Sequence, residues 1–276
     1  MRNRIVRGIR KVVDLPIGLG SRRWRPTGES PLVTIVVASY NYQDLIRETL
    51  DSLLAQTYAN FEVLVVDDGS RDNSVQVIQE YCRRDSRIRL LQHPGGVNRG
   101  LASTLHLGAD NARGEYTAFC ESDDMWTPGH LAAKVELIRH YSDVAIASNG
   151  VRVIGDTECL DRFESYFRSL RRYLYPGGCY ADTANRPRRN LIPTFSCVMI
   201  RTDLLRRCNF DTPVPTWADM WIYRQILIAH PLFHIPDQLT LWRQHADSYN
   251  GDRENSLNQQ IDNFVAKSNQ LLGIGR

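Results

Sequence analysis

The chain has 276 residues, enough at roughly 150 residues per domain for one large domain or two small ones. Hydrophobic residues make up 42% and charged residues 24%, which excludes a disordered or fibrous chain. Uncharged runs such as Leu32–Gln43 fall short of the about 20 apolar residues a transmembrane helix needs, so no spanning segment is expected. Six cysteines (Cys82, Cys120, Cys159, Cys179, Cys197 and Cys208) include no Cys-x-x-Cys pair. That pattern argues against a zinc site or a disulfide framework and for reduced thiols in a cytoplasmic protein.

The formal net charge of +3 is unevenly spread. Residues 1–25 carry eight basic side chains against one acid, Asp14, so the rest of the chain is mildly acidic. Residues 1–30 therefore read as a basic amphipathic arm, with Ile5, Val6, Ile9, Val12 and Val13 on one helical face. The arm suits either a solvated leader or, through residues 2–15, peripheral contact with the anionic inner face of the cell membrane. No aromatic or motif signal accompanies residues 2–15, and nucleic acid is not an expected partner.

From residue 32 short β-branched runs alternate with helical patterns. Strands are predicted at Leu32–Ser39, Phe61–Val66, Ile88–Leu91, Tyr116–Cys120 and Val144–Ser148. Helices are predicted at Gln43–Gln56, Asn73–Arg84, Gly100–Asn111 and Leu131–Tyr141. This order with short connections predicts an α/β fold: a Rossmann-like, mostly parallel sheet with helices on both faces. The rhythm breaks near Asn149, and residues 150–190 read as a long excursion. Regular structure resumes at Thr194–Ile200, with a helix over Trp217–Ile228, a short strand around Gln238–Trp242 and a closing helix over Asn255–Leu272. In that last helix Leu257, Ile261, Phe264, Val265 and Leu272 share a face.

Ligands of open α/β sheets bind beyond the C-terminal ends of the strands. Three such ends are polar here: Ser39-Tyr40-Asn41, Asp67-Asp68-Gly69-Ser70 and Glu121-Ser122-Asp123-Asp124. Acids gathered at one sheet edge repel one another unless a cation neutralises them, and oxygen donors favour a hard ion such as Mg²⁺ or Mn²⁺. A dinucleotide-binding protein would need Gly-x-Gly-x-x-Gly after the first strand. The turn there is Tyr40-Asn41-Tyr42, without glycine. A P-loop is also absent.

Four blocks in order, Val33 to Asn41, Gln56-Thr57-Tyr58, Val65 to Ser70, and Gly114-Glu115-Tyr116 leading to Ser122-Asp123-Asp124, resemble glycosyltransferase family 2. The resemblance implies a GT-A fold, a nucleotide-sugar donor and inversion at the anomeric carbon. It divides the chain into the arm, a GT-A domain over 31–248 and a C-terminal helix over 249–276. Within the domain, 31–149 is the nucleotide-sugar half and 150–248 the acceptor-side half.

By the same resemblance Tyr40 stacks beside the nucleobase, and Asp67 and Asp68 accept hydrogen bonds from base or ribose. Ser39, Asn41 and Ser122 complete the nucleotide-binding set. Asp123 matches the last acid of the Asp-x-Asp metal motif, with Glu121 where the family usually has Asp. Trp217-Ala218-Asp219 resembles the family's Glu-Asp motif with Ala218 in place of the first acid, which makes Asp219 the general base. Leu241-Trp242-Arg243-Gln244-His245 resembles a late Tyr-Arg-x-His motif, which assigns His245 to the metal or diphosphate. Leu105-His106 stands where relatives often have Arg-Asn.

The expected function is metal-dependent transfer of a sugar, from a UDP or dTDP donor by preference, to a glycan or lipid-linked acceptor in cell-surface polysaccharide synthesis. A degenerate nucleotide- or glycan-binding module is the alternative. Arg171, Arg172, Arg186, Arg188 and Arg189, among Tyr173, Tyr175 and Tyr180, read either as an acceptor groove for an anionic glycan or phosphorylated lipid, or as a solvated loop.

Overall fold

The computed structural model describes residues 30–155, 173–175, 192–213, 217–245 and 254–272, with the backbone alone over 254–262. The predicted N-terminal helix and the cluster of Arg171, Arg172, Tyr180, Arg186, Arg188 and Arg189 lie outside these residues, as do the Leu257 and Ile261 side chains.

The first half is β1 (Val33–Ser39), α1 (Ile46–Leu54), β2 (Phe61–Asp67), α2 (Ser74–Arg84), β3 (Ile88–Gln92), α3 (Leu101–Asn111) and β4 (Tyr116–Glu121). β1 is β-branched almost throughout and buried on both faces, as a covered parallel strand must be. Val33, Ile35 and Val37 face one core and Val36 the other. Into the first core α1 sends Ile46, Leu50 and Leu53, and α2 sends Val77, Ile78 and Tyr81. That spacing is one stripe of an amphipathic helix. Leu105 of α3 packs into the second core.

The second half is β5 (Met125–Trp126), α4 (His130–His140), β6 (Ile146–Gly155), β7 (Tyr173–Tyr175), a 3₁₀ turn at Phe195–Cys197, β8 (Val198–Arg201), α5 (Thr202–Leu205), α6 (Ala218–Leu227), β9 (Leu232–Gln244) and α7 (Glu254–Leu272). The sheet runs β3-β2-β1-β4-β8-β6-β9-β5, with β7 also on β9. β1 to β4 are mutually parallel, and β6 is parallel to β9. β8 runs antiparallel between β4 and β6, and β5 and β7 run antiparallel to β9. The parallel sheet is therefore interrupted by reversed strands.

Two strands exceed the expectation. β6 does not stop at Ser148 but continues to Gly155, because that stretch pairs with Gln238–Gln244 of β9. β9 itself starts at Leu232, well before Gln238. Pro236 and Asp237 break its pattern, and the ladder absorbs them in register shifts around Gly150. A Cβ at Gly150 would sit 2.7 Å from the Pro236 carbonyl oxygen, so the bulge needs glycine there.

Candidate active site

Chain order reverses at the centre of the sheet. The strands step outward from β1 to β3, and β4 then returns to the other side of β1. The crevice between the C-terminal ends of β1 and β4 is the switch point where open α/β sheets take ligands.

At the end of β1, Asn41 adopts φ +59°, a conformation Asn tolerates, and turns the chain across the end of β2. Its amide donates to Ser70 Oγ at 2.9 Å, and its side-chain oxygen accepts from the Arg71 amide at 2.8 Å. Asn41 is thus fixed by the neighbouring loop while Tyr40 keeps 40% of its surface exposed, offering a ring face.

The two acids ending β2 have separate jobs. Asp68 takes the Arg99 amide on Oδ1 at 2.7 Å and the Gly100 amide on Oδ2 at 2.9 Å. Both of its oxygens thereby hold the loop before α3. That loop packs so tightly on Gly69 (φ +78°) that a Cβ would lie 2.7 Å from the Asn98 nitrogen. Asp67 accepts the Gly69 and Ser70 amides on Oδ1 alone. Its Oδ2 and the Ser39 hydroxyl are buried without partners, on residues paired in register at the ends of β2 and β1. A buried polar atom left so costs about 1–3 kcal/mol, which a ligand donor at this edge would recover.

Glu121-Ser122-Asp123-Asp124 leaves β4 on the other side of the crevice. Ser122 is buried, and its carbonyl accepts from Thr49 Oγ1 at 2.9 Å. That role is structural. Asp123 Oδ2 lies 3.2 Å from His245 Nε2, so the end of β9 meets the end of β4. Tyr42 lies close to Asp123, and its ring stands edge-on to His245 with centroids 5.9 Å apart. Burial and the charges of Asp123 and Glu121 hold the Tyr42 phenol in its protonated, donating form. Arg243 braces the loop from behind, donating its amide to Asp124 and Nε to the Asp123 carbonyl.

The acids strain against one another. Burial, then the charge of Asp123, pushes Glu121 up to about 8, with Asp219 adding to the rise and the Thr194 hydroxyl opposing it. Burial pushes Asp219, in the first turn of α6, up to about 6 against the helix-start amides that favour its ionised form. A carboxylate poised near neutrality beside a cleft is suited to taking a proton.

A divalent ion is tested by the donors present. An octahedral Mg²⁺ with ligands at about 2.0–2.1 Å sets neighbouring donors roughly 3 Å apart, which the Asp123–His245 separation of 3.2 Å fits. Glu121, expected as a ligand, accepts a hydrogen bond from Thr194 Oγ1 on Oε2 at 2.7 Å. Among the described residues no group of three His, Cys, Asp or Glu side chains gathers for a metal, so further positions would fall to ligand oxygens or water.

Sequence reasoning did not single out Tyr42, Thr194 or Ser196. Tyr42 stood in the turn after β1, next to residues already marked. Thr194 and Ser196 carried no local signal, since their partners lie more than 70 residues away. Leu105 and His106 do not face the acids through the same helix side: Leu105 is core and His106 stacks on Phe210.

The family model described as Glycosyl transferase family 2 matches residues 34–208. Over 138 residues the chain is 33% identical to the putative teichuronic acid biosynthesis glycosyltransferase TuaG of Bacillus subtilis, covering 50% of this chain and 54% of that one. It spans only 34% and 26% of the length of two further Bacillus subtilis glycosyltransferases. Among solved structures, the mannosyltransferase PcManGT of Pyrobaculum calidifontis, in complex with GDP-Man and Mn²⁺, superposes with TM-score 0.66 at 18% identity, covering 99% of this chain and 72% of that one. TarS 1-349 of S. aureus with UDP-GlcNAc gives TM-score 0.58 at 18% identity, over 86% of this chain and 72% of that one. At those identities the likeness is one of fold, the GT-A fold, while the sequence match carries the lineage. This chain belongs to glycosyl transferase family 2.

Proposed function

We propose that the chain transfers a glycosyl group from a nucleoside-diphosphate sugar to a hydroxyl acceptor, with inversion at the anomeric carbon. One observation carries this reading: Asp123, in the loop after β4, meets His245, at the end of β9, at 3.2 Å, an acid and an imidazole brought together beside the switch point of the sheet. Asp219, in the first turn of α6, is the base of this reading, and Tyr223 of the same helix packs on Phe195, next to the Thr194 that bonds Glu121.

Asp219 takes the proton of the acceptor hydroxyl, whose oxygen attacks the anomeric carbon opposite the leaving group. Tyr40 gives the nucleobase a stacking face, and Asp67 and Ser39 offer it buried acceptors, which suits the imide N–H of a uracil or thymine base. The nucleotide sugars bound by the two solved relatives support a nucleoside diphosphate as the donor's handle. Asp123 and His245 would hold Mg²⁺ or Mn²⁺, which supplies neutralisation of the charge growing on the diphosphate. Asp68 shapes the donor loop from beneath.

The acceptor in this reading is a glycan or lipid-linked sugar of cell-surface polysaccharide synthesis, and the TuaG likeness supports that class. The basic residues 2–15 provide peripheral contact at the inner face of the membrane. No helix among the described residues is long and apolar enough to cross a membrane.

The test is release of nucleoside diphosphate from UDP-, dTDP- and GDP-sugars with a panel of acceptors and Mn²⁺. Turnover with one donor, falling about 10²–10⁴-fold in Asp219→Asn while nucleotide affinity holds, is the expected outcome. Near-full activity in that variant removes Asp219 from the chemistry. Nucleotide binding without turnover by any pair favours the binding-module alternative.

A further inference from the structure

The 3₁₀ turn before β8, with Thr194 at its head, bonds the acids at the end of β4 and packs on α6. Thr194 Oγ1 donates to Glu121 Oε2 at 2.7 Å and accepts the Ser196 amide at 3.3 Å. Ser196 Oγ donates to Asp124 Oδ2 at 2.5 Å and accepts the Glu121 amide at 2.9 Å. Its carbonyl takes Trp126 Nε1 at 2.9 Å and Thr240 Oγ1 at 3.2 Å. Between the two hydroxyls, Phe195 stacks on Phe119 of β4, centroids 4.0 Å apart, and leans on Tyr223 of α6 at 5.7 Å.

Ser196 is fully buried and Thr194 nearly so, so neither hydroxyl is solvated as an alternative. One three-residue turn therefore grips the acids on both sides of Asp123 and abuts the helix that carries Asp219. A hydroxyl that donates to a carboxylate fixes which oxygen remains free and where it points, which is how outer partners orient metal ligands.

We propose that Thr194 and Ser196 are positioning residues of the transfer site: by clamping Glu121 and Asp124 they hold the intervening Asp123 carboxylate at ligand distance from His245. This rests on the glycosyl-transfer reading and adds to it a pair of residues that touch neither donor nor acceptor. Thr194→Val keeps the volume and deletes the hydroxyl, Thr194→Ser keeps the hydroxyl, and Ser196→Ala deletes the second grip.

Each full-length variant is titrated with Mn²⁺ in the presence of UDP, GDP or dTDP, with free Mn²⁺ read by electron paramagnetic resonance; kcat, donor KM, acceptor KM and melting temperature are measured alongside. Thr194→Val and Ser196→Ala are expected to weaken Mn²⁺ binding and lower kcat by ~10–100-fold, with acceptor KM unchanged. Thr194→Ser is expected to restore both to within a few-fold of the wild type. Wild-type Mn²⁺ binding and kcat in Thr194→Val and Ser196→Ala overturn the positioning role. A loss that follows the melting temperature and is not rescued by Thr194→Ser overturns it as well, since that is a purely structural effect. Absence of metal–nucleotide binding in the wild type overturns the function reading and the positioning role together, which separates the two failures.

Discussion

At the end of β2, Asp67 and Asp68 meet backbone amides; at the end of β4, Glu121, Asp123 and Asp124 crowd one another. The first pair sets its charge against four N–H groups, those of Gly69, Ser70, Arg99 and Gly100, and thereby folds two loops. The second group receives hydroxyls from Thr194 and Ser196 and one amide from Arg243, and Glu121 is still pushed up to about 8. Asp68, bonded on both oxygens to backbone amides, folds the loop before α3, whereas Asp67 keeps Oδ2 without a partner. Carboxylates that raise one another's pKa store repulsion that a cation relieves, and in the proposed reading the end of β4 is where that cation sits.

The contrast breaks most visibly at His245. Removing the imidazole beside Asp123, as in His245→Ala, should weaken Mn²⁺-dependent nucleotide binding by at least ~10–100-fold, the range seen for groups that tune a metal site. Calorimetric titration checks it, and an unchanged affinity would leave Asp123 without its neighbour. Next comes pH. Only ionised Asp219 accepts a proton, and burial raises its pKa to about 6. The log of kcat/KM should therefore be flat above that value and fall with unit slope below it, about tenfold per pH unit. A limb near pH 4 would place Asp219 in water.

Smaller effects belong to the architectural acids. Asp68→Asn retains shape but offers an NH₂ to one of two amides, so a loss of about 1.5–3 kcal/mol in chemical denaturation is expected, the value of a hydrogen bond to a charged group. Smallest is Glu48→Ala, which frees the outer end of Arg243. Glu48 is half-exposed, so at most about 1 kcal/mol is expected, with kcat unchanged.

Much of the first half was legible because its signals are local. β1 to β4 and α1 to α3 end within a few residues of their predicted bounds, since β-branched runs and one-sided apolar stripes are set by neighbours in the chain. The second half was less legible because its order comes from distant pairing. Pro236 and Asp237 hide the first part of β9, and only the bulge against Gly150 lets the strand run through them. Asp123 and His245 were named from motifs, but their meeting needs β9 to run alongside β6 and β5.

Roles of single side chains were hardest to read. Asp67 and Asp68 are adjacent and identical, and only the packing of the 93–100 loop on Gly69 gives them different work. Lys134 shows the same limit. No local pattern separates it from a surface lysine, yet it is fully buried, bonded to His130 and Asn149, and lowered by burial to about 7. Its surroundings come from α4, β6 and β9 together.

The central claim, that Asp123 anchors a metal-dependent nucleotide site, is met most directly by thermal shift. UDP, dTDP, GDP and CMP are each added with and without Mn²⁺ to the wild type and to Asp123→Ala. A ligand that binds only the folded state raises the melting temperature. The account predicts a rise with one nucleoside diphosphate that requires Mn²⁺ and vanishes in Asp123→Ala. An equal rise in both proteins, or no rise with any nucleotide in folded wild type, would contradict it.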